Sequence, residues 1–196
     1  MMIMLLLLML LFGGCGFFSA ATVATAPPVV VEVTSAPAIG VTAVAVCQVT
    51  PADQLGPYYV EGAPERDMLY PAGTAGTPLL ISGTVYGMGC IPLAGAVVEV
   101  WQADSNGEYD FSADFLGRAT VIADENGRYE FATVMPGRYE PRPLHIHFRV
   151  SHPDVPTLVT QLYFAGDAEG IPAAQVTTPI EENGVLHGTF DIVISS

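Results

Sequence analysis

Past residue 50, apolar side chains come in short runs closed by Gly, Pro or Asp/Asn turns, and no segment carries a helical repeat with caps. This punctuation is the tightest constraint on the fold. It rests on 20 glycines and 16 prolines, residues that interrupt helices and sharpen turns. Runs at 80–86, 96–102, 119–123, 128–133, 145–151, 158–164 and 188–194 predict about seven strands. A turn at 91–95 is expected between the first two. Asp124-Glu125-Asn126-Gly127 predicts a tight type I′ hairpin, because both central residues of that turn need positive φ. Seven or so short strands with Gly/Pro turns predict an all-β, two-sheet β-sandwich with little helix.

The N-terminus reads differently. Residues 3–12 are an unbroken apolar run ending at Gly13-Gly14-Cys15. That length suits the core of a signal peptide and is short for a membrane span of ~20 residues. Residues 1–20 are therefore expected to be a signal sequence. Cys15 is the candidate for lipidation, because Phe-Gly-Gly-Cys resembles a bacterial lipobox. Phe12 in place of leucine and the lack of a preceding Lys or Arg depart from that pattern, and plain cleavage near Ser19-Ala20-Ala21 is the alternative. Residues 16–45 are rich in Ala, Val, Thr and Pro, and read as a tether, with an added edge strand at 29–33 as the other reading. The folded domain is expected over 46–196, exported to the cell surface or beyond it. In an oxidising compartment Cys47 and Cys90, left as a pair, are expected to bond; two buried free thiols are the alternative.

Charge removes one class of partner. Six arginines, no lysine and 20 acids give a formal net charge of −14, a surface that repels nucleic-acid phosphates. Without lysine there is no phosphate-binding loop of the Gly-rich, Lys-bearing kind, and no Gly-x-Ser-x-Gly elbow or His-Glu-x-x-His is present.

The sharpest chemical feature is Arg142-Pro143-Leu144-His145-Ile146-His147-Phe148. Two residues apart on a strand, His145 and His147 face one side, and Ile146 and Phe148 face the other, toward a core. Paired imidazoles at that spacing suit a metal ion. Zinc would want a third His, a Cys or a carboxylate; His152 and His187 exist but stand apart in sequence.

Further blocks surround this motif: Gly56-Pro57-Tyr58-Tyr59, the stretch 92–104 followed by Gly107-Glu108-Tyr109, residues 124–131, Pro136-Gly137-Arg138-Tyr139, and Thr160-Gln161-Leu162-Tyr163-Phe164-Ala165-Gly166-Asp167. Together and in this order, they resemble the intradiol ring-cleavage dioxygenases over residues 47–167. The short connection from Tyr139 to His145 looks like a compact secreted branch, whereas the protocatechuate enzymes have a longer loop here. No long helical segment is read ahead of the sandwich, which sets it apart from the catechol 1,2-dioxygenase architecture.

The resemblance implies a non-haem Fe(III) held by Tyr109, Tyr139, His145 and His147, with Tyr139 and His147 axial. It implies a catechol substrate and O2, a muconate-type diacid product, and Tyr139 leaving the metal to take up a substrate proton. Arg142 would stabilise negative charge on the ring, Gln161 would line the same pocket, and Tyr58 would line the substrate cavity. The substituents on the ring and the oligomeric state stay open. Similar strand patterns occur in transthyretin-like and carboxypeptidase-regulatory sandwiches, which bind without catalysis, and a copper or zinc protein using the same histidines is a third reading.

Overall fold

The computed structural model describes residues 47–195, so the expected signal sequence, Cys15 and the whole tether, with its alternative strand at 29–33, lie outside the described residues. The described chain is a β-sandwich of ten strands. They are β1 (Pro78–Tyr86), β2 (Val97–Trp101), β3 (Arg118–Ile122), β4 (Arg128–Val134), β5 (His145–His152), β6 (Val155–Phe164), β7 (Val176–Thr177), β8 (Ile180–Glu182), β9 (Val185–Thr189) and β10 (Ile192–Val193). The only helical pieces among the described residues are two 3₁₀ turns of three residues each.

One sheet runs β3-β2-β5-β6-β7. Its β2/β3, β2/β5 and β5/β6 pairs are antiparallel, and β6/β7 is parallel. In the second sheet β1 pairs with β4 antiparallel and with β9 and β10 in parallel, while β8 pairs with β9. The core lies between the sheets. Leu79, Ile81, Phe131 and Ile192 meet Val98, Ile146, Phe148, Val150 and Leu162, all within 1% of complete burial. Each such side chain contributes about 1.5–3 kcal/mol through burial. Alternation along β5 sends Ile146, Phe148 and Val150 into this core and turns His145 and His147 to the outer face.

One connection and one strand differ from the sequence expectation. β3 and β4 lie in different sheets, so the Asp124–Gly127 turn changes sheet and does not close a hairpin. Gly127 takes a φ of 73°, whereas Asn126 does not have positive φ. Asp124 Oδ1 accepts the N–H groups of Asn126 and Arg128, both at 2.8 Å, so a side-chain cap shapes the turn. The turn expected at 91–95 is present and links β1 and β2, which lie in different sheets. The expected strand at 188–194 is broken at Phe190-Asp191 into β9 and β10. There the Phe190 carbonyl packs directly on Gly83, where any Cβ would collide, and Asp191 Oδ1 takes the Thr84 N–H at 2.9 Å.

Cys47 and Cys90 are bonded, with Cα atoms 5.6 Å apart. The closure spans 43 residues, which in the chain-entropy account removes about 4 kcal/mol of unfolded-state freedom. It fixes the start of a strap, residues 50–59, onto the sandwich. Thr50 N donates to Val193 O at 3.0 Å, Asp53 N donates to Val159 O at 2.9 Å, and Thr160 Oγ1 donates to Pro51 O at 2.8 Å.

Candidate metal centre

The strap and two loops roof the outer face of β2, β5 and β6. Register places Trp101 beside His147, His147 beside Gln161, and His145 beside Tyr163, so these side chains form one patch. Gly56 of the strap passes over His147; a Cβ there would stand 3.1 Å from the ring's Cε1, and its φ of 74° favours glycine for a second reason.

Both imidazoles are buried, at 6% and 4% exposure. Their Nε2 atoms are 3.1 Å apart, and the Tyr109 hydroxyl is 3.4 Å from His145 Nε2. His145 Nδ1 donates to Pro143 O at 2.6 Å, which leaves Nε2 as a lone pair facing inward. Burial lowers the pKa of both rings. For His147 it does so to about 3, with the neighbouring His145 and Arg142 adding to the effect. Both are therefore neutral at physiological pH, the form that binds metal. Trp101 lies parallel to His147 at 4.8 Å, with 6° between planes, and backs the ring. The Gln54 backbone of the strap reaches the His147 ring and offsets part of the fall in its pKa.

Tyr109 and Tyr139 come from two loops that are laced together. Gly137 N donates to Asp104 O at 2.7 Å, and Gly107 packs against the Arg138 carbonyl, where a side chain would collide. Asp104 Oδ1 takes the N–H groups of Asn106 and Glu108 and shapes the first loop. Arg138 pairs with Asp167, whose other oxygen takes the Leu144 N–H at 2.7 Å. Burial pushes the Tyr109 phenol well up, so only a cation beside it would favour its anion. Tyr139 is 37% exposed at the mouth, and its hydroxyl contacts that of Tyr58. Tyr58 stacks on Tyr109 at 4.2 Å and stands edge-on to Tyr139 at 5.3 Å.

Arg142 and Gln161 also meet. Arg142 donates to Gln161 Oε1 at 2.8 Å and to the Tyr163 hydroxyl at 2.9 Å. Gln161, fully buried, donates to Gln54 O at 2.7 Å.

The structure thus brings His145, His147 and Tyr109 within reach of one another, sets Tyr139 beside them across Tyr58, and couples Arg142 to Gln161. Sequence reasoning did not single out Tyr163, Asp53 or Arg118. Tyr163 was accessible, because it shares the outward phase of Gln161 on β6. Arg118 is 2% exposed, and it donates to the carbonyls of Asp110, Leu116 and Tyr58, which fixes both the loop beyond Tyr109 and the strap. Neither Asp53 nor Arg118 carries a local sequence signal for such a role.

The donor set fits a metal ion of a particular kind. Two nitrogens each ~2.1 Å from one cation and at right angles to it stand ~3.0 Å apart, close to the separation of the Nε2 atoms here. No group of three or more His, Cys, Asp or Glu is placed to hold a metal among the described residues. Zinc would therefore lack its usual third ligand. The Tyr109 phenol oxygen lies beside the pair, and hard, highly charged cations favour anionic oxygen donors.

Comparison with known proteins shows the family. The Dioxygenase_C family model, described as Dioxygenase, matches residues 55–187. The 6-chlorohydroxyquinol 1,2-dioxygenase of Cupriavidus pinatubonensis is 36% identical over 136 residues, which cover 57% of this chain and 49% of that protein. The chain spans about half the length of the first curated relatives it matches. The dioxygenase domain of a dioxygenase carbohydrate-binding protein fusion from Streptomyces sp. SirexAA-E superposes with a TM-score of 0.71 at 35% identity, covering 76% of this chain and 99% of that one. Catechol 1,2-dioxygenase of Acinetobacter radioresistens superposes with a TM-score of 0.69 at 28% identity, covering 77% and 64%. A sandwich whose outer face joins two buried imidazoles to two loop tyrosines, matched by this family along most of its described length, belongs to the intradiol ring-cleavage dioxygenases.

Proposed function

We propose that this chain holds one non-haem Fe(III) on Tyr109, Tyr139, His145 and His147, and that it uses O2 to open catechol rings between the two hydroxylated carbons. The products are muconate-type dicarboxylates. The observation that carries this reading is the convergence of the two Nε2 atoms, 3.1 Å apart, with the Tyr109 hydroxyl 3.4 Å from one of them. When bound, a ferric ion there would supply a Lewis-acidic centre for the catechol oxygens and make the ring reactive toward O2.

The protein's own groups account for the rest. Tyr139, at the mouth and in hydroxyl contact with Tyr58, would hold the ion from the open side and receive a substrate proton on its Oη. Arg142 carries its positive charge beside the imidazoles and stabilises negative charge that builds on the ring. Gln161 Oε1 fixes the direction of the guanidinium. Tyr58, stacked on Tyr109, forms one wall of the substrate space. Trp101 closes the back of His147 and keeps water from that side. The domain works outside the cytoplasm, on a tether that begins at a cleaved or lipidated N-terminus; the bonded Cys47–Cys90 pair supports this placement.

The test is the visible spectrum of the iron-loaded chain, before and after catechol is added without oxygen. A wine-red tyrosinate band that shifts with catechol, followed by a diacid product when air is admitted, is the expected result. A colourless protein that prefers zinc would leave a sandwich module with two incidental histidines.

A further inference from the structure

Arg142 has an unusual setting for a partly buried guanidinium. No carboxylate lies within ion-pair distance of it among the described residues, and its terminal nitrogen is held by two neutral oxygens, Gln161 Oε1 at 2.8 Å and Tyr163 Oη at 2.9 Å. Those two acceptors are themselves 2.9 Å apart. Tyr163 has a single hydroxyl proton, which can go to Gln161 Oε1 or elsewhere. If it went to Gln161, Tyr163 and Arg142 would both draw on that one oxygen.

Asp53 resolves this competition. Its Oδ2 lies 2.8 Å from Tyr163 Oη and accepts the hydroxyl proton, so the Tyr163 lone pairs turn toward Arg142. The carboxylate is in turn held. Gln54 N donates to Oδ1 at 2.7 Å, and the buried Gln175 amide donates to Oδ2 at 3.3 Å while also reaching Thr160 Oγ1 at 3.1 Å. Burial, with the hydrogen bond to Asp53, pushes the Tyr163 phenol up to about 12, so it stays a neutral donor. The same strap closes the loop of contacts, because Gln54 O takes the Gln161 amide at 2.7 Å.

We propose that Asp53 is a positioning residue for Arg142: through the Tyr163 hydroxyl, it fixes the direction in which the guanidinium presents its charge to the substrate. This rests on the dioxygenase reading of the centre. It assigns the strap a part in the chemistry as well as in covering the site. It also gives Tyr163 the role of relay, with one hydrogen bond received from Arg142 and one given to Asp53. Charge-assisted hydrogen bonds to a carboxylate are the stronger kind, so the Tyr163 proton favours Asp53 over the amide oxygen of Gln161.

The experiment uses the full chain loaded with Fe(III), as wild type, Asp53→Ala, Asp53→Asn, Tyr163→Phe and the Asp53→Ala/Tyr163→Phe double variant. Three quantities are read: the tyrosinate band, the dissociation constant for catechol under nitrogen, and kcat in air. Asp53→Ala is expected to keep the band and to change catechol binding less than threefold, while kcat falls roughly tenfold. Asp53→Asn, whose amide oxygen still accepts from Tyr163, recovers most of that loss. The double variant is no slower than Tyr163→Phe alone, because Asp53 acts through that hydroxyl. Wild-type kcat in Asp53→Ala, losses that add in the double variant, or a band lost in Asp53→Ala alone would each overturn the assignment. The last would mean that Asp53 merely holds the strap in place. A wild-type chain that never develops a band would instead overturn the dioxygenase reading, and this one with it.

Discussion

The two faces of the β3-β2-β5-β6-β7 sheet are built from the same strands and do opposite work. The inner face presents Val98, Val100, Ile146, Phe148, Val150 and Leu162, all buried and apolar. The outer face presents Trp101, His145, His147, Gln161 and Tyr163, nearly as well buried but polar or aromatic. Burial alone does not separate them. What differs is the cover: a second sheet packs on the inner face, whereas a disulfide-anchored strap and two loops roof the outer one. A buried polar face needs partners, and here the roof supplies them through Pro143 O, Gln54 O and Asp53. On the proposed reading, the outer face carries chemistry where the inner face carries stability.

Two adjacent substitutions on β5 separate the faces most strongly. His147→Ala is expected to remove ring cleavage, by a factor of 10³ or more, and to abolish the tyrosinate band. It should cost the metal-free fold only about 1–2 kcal/mol. Phe148→Ala, one residue on, empties a site packed by Phe131, Tyr129 and Phe190. It should cost about 3–5 kcal/mol while the folded fraction keeps its band. Denaturant melts and visible spectra of the two variants check this. If His147→Ala unfolds the chain as readily as Phe148→Ala, the division of labour between the faces is wrong.

The strands were legible because they follow the period of two, and so was the pairing of His145 with His147. The centre was less so. Tyr109 and Tyr139 sit in loops with no period to read, and only the resemblance pointed to them. The hairpin expected at Asn126-Gly127 failed because the same dipeptide also serves a turn that changes sheets, and Asp124, capping from its start, decides the geometry. β7 and β8 escaped notice because two or three residues, such as the exposed Ile180-Glu181-Glu182, carry no alternation. The break between β9 and β10 depends on how closely Phe190 approaches Gly83, a contact between positions more than a hundred residues apart in sequence.

Acid sharpens the comparison at intermediate magnitude. In the metal-free chain burial holds His145 below its ordinary 6.5, and holds His147 at about 3. The unfolded chain takes up a proton on each ring as pH falls through about 6.5; in the folded chain His145 takes one up only at lower pH, and His147 only near 3. The unfolded state then binds more protons, so stability is complete above about 6.5 and declines below it. For His147 alone the decline is about 1.4 kcal/mol per pH unit once well below that value, or about 2 kcal/mol at pH 5. Denaturant midpoints of the metal-free chain at pH 7, 6 and 5 should fall accordingly, and less steeply in His147→Gln. A flat profile would mean that the outer face is wetter than its burial implies.

The smallest expected effect marks where the working part of the outer face ends. Two positions beyond His147 on the same face, Arg149 pairs with Glu99, which also accepts the Tyr59 hydroxyl at 2.7 Å. The guanidinium lies 5.9 Å from the Tyr59 ring centre, and Tyr59 in turn stands edge-on to Trp101 at 5.0 Å. A path of contacts thus leads from Arg149 to the tryptophan that backs His147. The pair is still partly open to water, with the Arg149 side chain 36% exposed, and an ion pair in that setting contributes no more than about 1 kcal/mol. Arg149→Met keeps the stem over Tyr59 and removes only the charge. It should cost less than about 1 kcal/mol of stability and leave kcat and the tyrosinate band unchanged. If the band shifted instead, the Glu99–Tyr59–Trp101 path would be tuning His147, and the working face would extend two residues further along β5 than the site geometry assigns to it.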